Sequence, residues 1–193
     1  MDRAKRGGET TREKLILAGA EELNLHGISD FSTRRVAKKC GVSSAAPYKH
    51  FESSHAFIAE ILKYINGTYD ARQREVIARY RDCDSRRQLL EVAVDYVRFL
   101  AENPEFCRVI LQNFRSDSEY QVLRGKLSLS IYKVVARYCR DVGMTPEARH
   151  RKTFVVRSII YGAALFFCNG DMIYNEENMA TVTAMLEREF DLP

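Results

Sequence analysis

An all-α fold is predicted by three features of this 193-residue chain. Apolar residues recur at i, i+3 and i+4 through nearly every segment. No run alternates at period two between hairpin turns, and no stretch repeats at a fixed spacing. With 46% hydrophobic residues the chain has enough apolar material for a substantial core.

The first helix begins after Thr10 or Thr11, either of which can cap exposed N–H groups. It carries Leu15, Ile16, Ala20 and Leu23 on one face and ends at His26 and Gly27. A second, short helix runs from Ser32 or Thr33 to Cys40, with Val36 and Ala37 inward and Arg34, Arg35, Lys38 and Lys39 outward. Gly41 breaks it, and Ser43 or Ser44 caps a third helix containing Tyr48 and Phe51. A fourth starts near Ser53 or Ser54, places Phe57, Ile58, Ile61, Leu62 and Ile65 on one side, and continues to about Tyr80 as a spine. Turn signals at 82–85, 103–104, 116–118, 143–146 and 170–175 divide the rest into helices near 86–102, 105–115, 118–141, 147–169 and 176–190. Nine helices result, in two expected domains, residues 1–53 and 54–193.

Composition excludes several classes. The longest apolar stretch, Thr153 to Cys168, is shorter than a bilayer span and is interrupted by Arg157. The N-terminus opens with Arg3, Lys5 and Arg6 and lacks the apolar region of a secretory signal, so a cytoplasmic protein is expected. Five dispersed cysteines, Cys40, Cys83, Cys107, Cys139 and Cys168, form no C-x-x-C pair and read as small buried apolar residues. Catalysis finds no support: G-x-x-x-x-G-K, H-E-x-x-H and G-x-S-x-G are all absent, and the four histidines (26, 50, 55 and 150) are scattered. Neither a metal nor a cofactor is expected. The net charge of +4 lies entirely in the first quarter of the chain: residues 1–51 hold ten Lys/Arg against six Asp/Glu, and the remainder is balanced. Such asymmetry points to a polyanion at that end.

The two short helices around Gly41 fit a helix-turn-helix, in which one helix positions a second whose first residues enter a major groove. Two short helices joined by glycine also fit an ordinary αα-corner. The stretch Thr11–Phe57 carries His26-Gly27, Phe31-Ser32-Thr33, Val36-Ala37, Gly41-Val42-Ser43 and Tyr48-Lys49-His50-Phe51 in fixed order and spacing. In this it is similar to the DNA-binding domain of TetR-family transcriptional regulators. The resemblance implies a sequence-specific DNA-binding regulator, a repressor acting as a homodimer and released by a small molecule. The rival expectation is a helical ligand-binding or interaction protein without sequence-specific DNA binding.

Each residue of the motif has an expected task. Phe31 and Val36 lock the first two helices together, and Thr33 offers its hydroxyl and backbone N–H to a phosphate. Arg34 and Arg35 add charge on the exposed side. Ser43 caps the recognition helix, while Ser44, Ala45 and Ala46 form its leading edge. The resemblance implies that Tyr48 and His50 approach the DNA backbone, beside Lys49, and that Phe51 packs inward. Two positions depart from the family's usual pattern: Pro47 replaces a branched apolar residue, and Ser54 replaces a phosphate-contacting lysine. Proline is harmless only within the first turn of a helix, so the recognition helix must begin at about Ser43 or Ser44. The small leading edge predicts contacts with thymine methyl groups and hydroxyl bonds rather than bidentate readout. A basic arm, Arg3 to Arg12, is available to follow a minor groove.

The segment 151–170 is apolar nearly all round from Phe154 to Cys168, which suits a central core helix or a subunit interface. The resemblance favours the interface, in which this helix and the last pair with their copies through Ile159, Gly162, Leu165, Phe166, Val182, Met185 and Leu186. An apolar or aromatic effector is expected between the helices of the second domain, which carry Phe114 and Tyr138 besides the rings assigned to the site, Tyr96, Phe99, Phe106, Tyr132, Phe154 and Tyr161. The expected partners are therefore palindromic or pseudo-palindromic double-stranded DNA, a second copy of the chain and a small molecule, with no membrane.

Overall fold

The computed structural model describes residues 10–111, Tyr120 and residues 129–191. Among the described residues there is no strand. The α-helices are α1 (Thr11–His26), α2 (Thr33–Lys39), α3 (Ser54–Arg79), α4 (Ser85–Glu102), α5 (Pro104–Leu111), α6 (Leu129–Asp141), α7 (Pro146–Asn169) and α8 (Glu176–Asp191), with a single 3₁₀ turn at Pro47–Lys49. None is long and apolar enough to cross a membrane. The expected helix near 105–115 ends, as described, at Leu111, and that near 118–141 is described from Leu129; Phe114 and the arm residues before Thr10 lie outside the described residues.

The described residues fall into two compact units, 10–65 with Tyr120, and 66–111 with 129–191. In the first, local chemistry sets each helix start. Thr10 and Glu13 form a reciprocal capping box at α1, and the Thr10 N–H and hydroxyl hold the Glu13 carboxyl below its ordinary value. Ser32 caps α2 through the Arg35 N–H, and the Ser53 hydroxyl accepts from the Ala56 N–H at the head of α3. Gly27 and Gly41 sit at φ +70° and +68°, conformations that side chains rarely adopt, and so end α1 and α2. Leu15, Ile16 and Leu23 of α1 are fully enclosed together with Phe57, Ile61 and Leu62 of α3. Phe57 organises the aromatic part of this core, stacked on Phe51 at 4.0 Å and meeting Phe31 edge-on at 5.5 Å. Tyr120 stacks on His55 at 4.6 Å and donates to the His55 carbonyl at 3.1 Å.

In the second unit α4 is the central helix, burying Leu90, Val97, Phe99 and Leu100 and packing against α5, α6, α7 and α8. Arg98 makes a bidentate pair with Glu176 at the start of α8, and Arg72 of α3 bridges Asp95 and Glu102 of α4. Of the five cysteines only Cys107 is buried; the other four are half-buried, because each lies near a helix end or edge where packing is incomplete.

Because Phe57 is fully enclosed and contacts two further rings, Phe57→Ala is expected to lower folding stability by about 3–5 kcal/mol, measured by urea denaturation.

Candidate nucleic-acid interface and ligand cavity

The surface of the first unit that faces outward from α2 and the following turn is held by a buried acid. Glu22 sits on the inner side of α1 and is only 7% exposed. Its carboxylate accepts from the Ser32 N–H at 3.2 Å and from Arg35 Nε at 2.6 Å. Arg35 also reaches Asp30, through the backbone carbonyl and the carboxylate, and the Glu22 bond raises the guanidinium's pKa above its ordinary value. Arg35 lies on the exposed side, as expected, but its guanidinium is engaged with Glu22 and Asp30 and clamps the start of α2 to α1. The sequence signal was a lone acid on the apolar face of the first helix. Arg34, its neighbour, is exposed and has no such partner among the described residues.

After Gly41 the expected third helix is much shorter. Residues 44–46 form a turn closed by the Ala46 N–H on the Ser43 carbonyl at 2.9 Å, and only Pro47–Lys49 is helical, as a 3₁₀ turn. The physical reason lies in Pro47, which cannot donate back to residue 43 and so prevents an α-helical ladder from forming across it. Ser43 therefore acts through its backbone carbonyl, and Ala46 occupies the cap without a side-chain bond. Ser43, Ser44, Ala45, Tyr48, Lys49 and His50 are exposed, Ala46 is half-buried, and Pro47 is buried. Phe51 turns inward.

Thr33 is buried, and its hydroxyl lies 3.1 Å from that of Tyr48. The two hydroxyls that were expected at phosphates thus form one unit in which Thr33 is enclosed and Tyr48, 54% exposed, carries the outward end. Arg12, the last residue of the expected arm, does not extend away: it pairs with Glu60 and lies 5.5 Å above the Phe51 ring. The Lys63 ammonium, with Arg12 beside it, holds the Glu60 carboxyl below its usual range.

The second unit contains a cavity of about 130 Å³ lined by α3, α4, α6, α7 and α8. Of the residues expected there, Tyr96 and Tyr161 line it. Phe99 and Phe106 are core residues 6.2 Å apart, off the lining. Tyr132 and Phe154 point to solvent, 50% and 70% exposed, since each falls on the helix face away from α4. Tyr138, one of the rings carried by the helices expected to enclose a cavity, also lines it, as does Tyr69, which was not expected there. Their signal was an aromatic ring on the inner face of the helix concerned. Tyr69 stacks on Tyr96 at 4.3 Å, and Tyr161 meets Tyr96 edge-on at 6.2 Å.

Along α7, Val155, Ile159, Gly162 and Phe166 follow helical spacing on one side, with Ile159 and Gly162 half-exposed and Phe166 51% exposed. Leu165 and, on α8, Met185 are also exposed. A Cβ added at Gly162 would meet nothing within 4 Å. Val182 and Leu186, assigned to the same face, are buried in the protomer's own core; one helical turn separates them, and Met185 occupies the outward side.

Comparison with known proteins agrees with this geometry. Residues 15–61 match the family model of bacterial regulatory proteins, tetR family. The nucleoid occlusion factor SlmA of Vibrio cholerae is 27% identical over 155 residues, 80% of this chain and 77% of that protein. Two solved structures share the fold. The transcriptional regulator FadR from Bacillus subtilis in complex with stearoyl-CoA has a TM-score of 0.72 at 15% identity, covering 92% of this chain and 96% of that one. A transcriptional regulator from Rhodococcus sp. Rha1 has a TM-score of 0.68 at 22% identity, covering 94% and 95%.

The clamp has a measurable consequence. Arg35→Ala leaves the buried Glu22 carboxylate without its cation, so its urea midpoint is expected to fall, whereas Arg34→Ala is expected to unfold as the wild type does.

Residues 15–61 thus match a DNA-binding domain of the tetR type, and the chain as a whole is similar in fold to solved transcriptional regulators.

Proposed function

We propose that the chain is a homodimeric, sequence-specific repressor that binds a palindromic or pseudo-palindromic operator in the cytoplasm and is released by a small-molecule effector, with no catalytic step. The observation that carries this reading is the exposed surface of Arg34, Ser43, Ser44, Ala45, Tyr48, Lys49 and His50, on which neither Arg34 nor Lys49 pairs with a carboxylate among the described residues. Cations left unpaired beside a helix-turn-helix suit phosphates, while the small leading edge permits close approach to base edges. Thr33 supports Tyr48 from behind, so the tyrosine meets the backbone with its ring already oriented.

Dimerisation is supported by the apolar stripe Val155, Ile159, Gly162 and Phe166 with Leu165 and Met185, a set of exposed large side chains on adjacent helices that a monomer would leave in water. The open space at Gly162 lets a second backbone approach closely. A two-fold dimer reads a two-fold site. Effector release is supported by the cavity of the second unit and by the bound stearoyl-CoA of the Bacillus subtilis regulator. Helix α3 is the mechanical link: Phe57 and Ile61 belong to the first unit's core, Tyr69 lines the cavity, and one helix carries all three. A ligand favouring one position of α3 lowers DNA affinity by the same factor with which DNA lowers ligand affinity. This cavity favours ligand-controlled regulation over the role named in the nucleoid occlusion relatives, whose identity to this chain is low.

Fluorescence anisotropy across a salt series tests the DNA face. Lys49→Ala is expected to weaken binding to all duplexes and to reduce the salt slope by about one phosphate's worth, roughly 0.9; an unchanged affinity and slope would remove this surface from the DNA. Phe166→Arg is expected to yield monomers by sedimentation and to lose operator binding, and a variant that remains dimeric would contradict the interface. For the effector, a thermal-shift screen of apolar metabolites is followed by operator affinity with each hit. Stabilising hits that leave DNA affinity untouched would contradict the switch.

A further inference from the structure

The lining of the second unit's cavity is uneven in charge. One wall is the tyrosine set Tyr69, Tyr96 and Tyr161. Burial raises the Tyr69 and Tyr96 hydroxyls above the ordinary phenol value, so both remain protonated. The other side presents Arg149, Lys152 and Arg157 of α7, and among the described residues no Asp or Glu lines the cavity. Lys152 is already matched by α8: its Nζ donates to the Glu189 carbonyl at 2.7 Å and lies 3.9 Å from the Glu189 carboxylate. The arginines are not matched. Arg157 donates to the hydroxyl of Tyr161 at 3.3 Å and lies 5.4 Å over its ring, and among the described residues neither it nor Arg149 has an acidic partner. Both are exposed, which puts them at the open edge of the cavity.

We propose that the effector is a small aromatic carboxylate, with its ring enclosed beside Tyr69 and Tyr96 and its carboxylate held at the open edge by Arg157, with Arg149 adding charge. The assignment rests on the effector reading above and adds the ligand's charge and size. Size follows from volume: about 130 Å³ approaches the roughly 150 Å³ of an engineered protein cavity that encloses benzene, so one six-membered ring fits and a long acyl chain does not. Charge follows from the unpaired guanidiniums, whose planar donors match a carboxylate in two parallel bonds. A neutral ligand forgoes that pairing, and a cationic one meets like charge with no acid to offset it. The tyrosine faces supply stacking for the ring.

Calorimetry on the full chain with phenylacetate, 2-phenylacetamide and phenethylamine separates these terms, because the three share a ring and differ in charge. Phenylacetate is expected to bind at least about ten-fold more tightly than the amide, a difference of about 1.4 kcal/mol, and the amine is expected not to bind. Arg157→Gln is expected to bring acid and amide within about three-fold of each other, chiefly by weakening the acid. An amide that equals the acid in the wild-type protein overturns the charge assignment but leaves the effector reading standing, since a neutral body then occupies the cavity. Acid binding that survives unchanged in both Arg157→Gln and Arg149→Gln overturns it too, by placing the anion elsewhere. Binding by none of the three overturns the ligand class, and the effector reading is then decided separately by the wider screen coupled to operator affinity.

Discussion

The surface proposed to face DNA depends on one buried carboxylate. Glu22 is enclosed on the inner side of α1, where an unpaired charge would be costly, and two donors from the next helix meet it: the Ser32 N–H and the Arg35 guanidinium. That arrangement fixes where α2 starts. Thr33, the next residue, is thereby held beneath Tyr48, and the hydroxyl bond between them aims the exposed end of the tyrosine outward. A charge that reads as a DNA contact in the sequence is thus part of the frame on which the contacts stand. The aromatic trio of Phe31, Phe51 and Phe57 anchors the same region from below, so the polar clamp and the apolar core locate one surface from two sides.

Pro47 shapes how that surface can read a duplex. Without an N–H it breaks the helical ladder, and the recognition element becomes a turn followed by three residues of 3₁₀ helix. Ser43, Ser44 and Ala45 are left exposed on a short, small-residue edge, with Tyr48, Lys49 and His50 immediately behind. Small side chains suit close approach to a groove, and in the proposed complex the larger polar ones meet the phosphates. On the proposed reading, affinity resides mainly in Tyr48, Lys49 and Arg34, and discrimination in residues 43–46.

What was legible in the sequence was local. Thr10, Ser32 and Ser53 announce helix starts because a cap acts within three residues, and Gly27 and Gly41 announce stops because only glycine accepts their backbone angles. The motif from His26 to Phe51 was legible because many fixed spacings occur together. What escaped was set by partners distant in the chain. Arg35 looks like any surface arginine until Glu22, thirteen residues earlier, is placed beside it. Val182 and Leu186 differ from Met185 only in rotation about α8, and an amphipathic pattern does not say which apolar residues face the protomer's own core. Tyr69 joins Tyr96 and Tyr161 across three helices, a neighbourhood with no trace in sequence spacing. The shortened recognition helix was signalled by Pro47, whose effect is larger than a shifted boundary because residues 44–46 lie too close to Gly41 to form a helix of their own.

The central claim is that residues 33–50 present a DNA-reading surface that acts in pairs. Selection of bound duplexes from a random pool by the purified protein addresses it most directly. The account predicts an enriched sequence with two half-sites related by two-fold symmetry, centred about one or more helical turns apart, bound by an even number of chains. A pool that returns no shared sequence, or one asymmetric site occupied by a single chain, would contradict it.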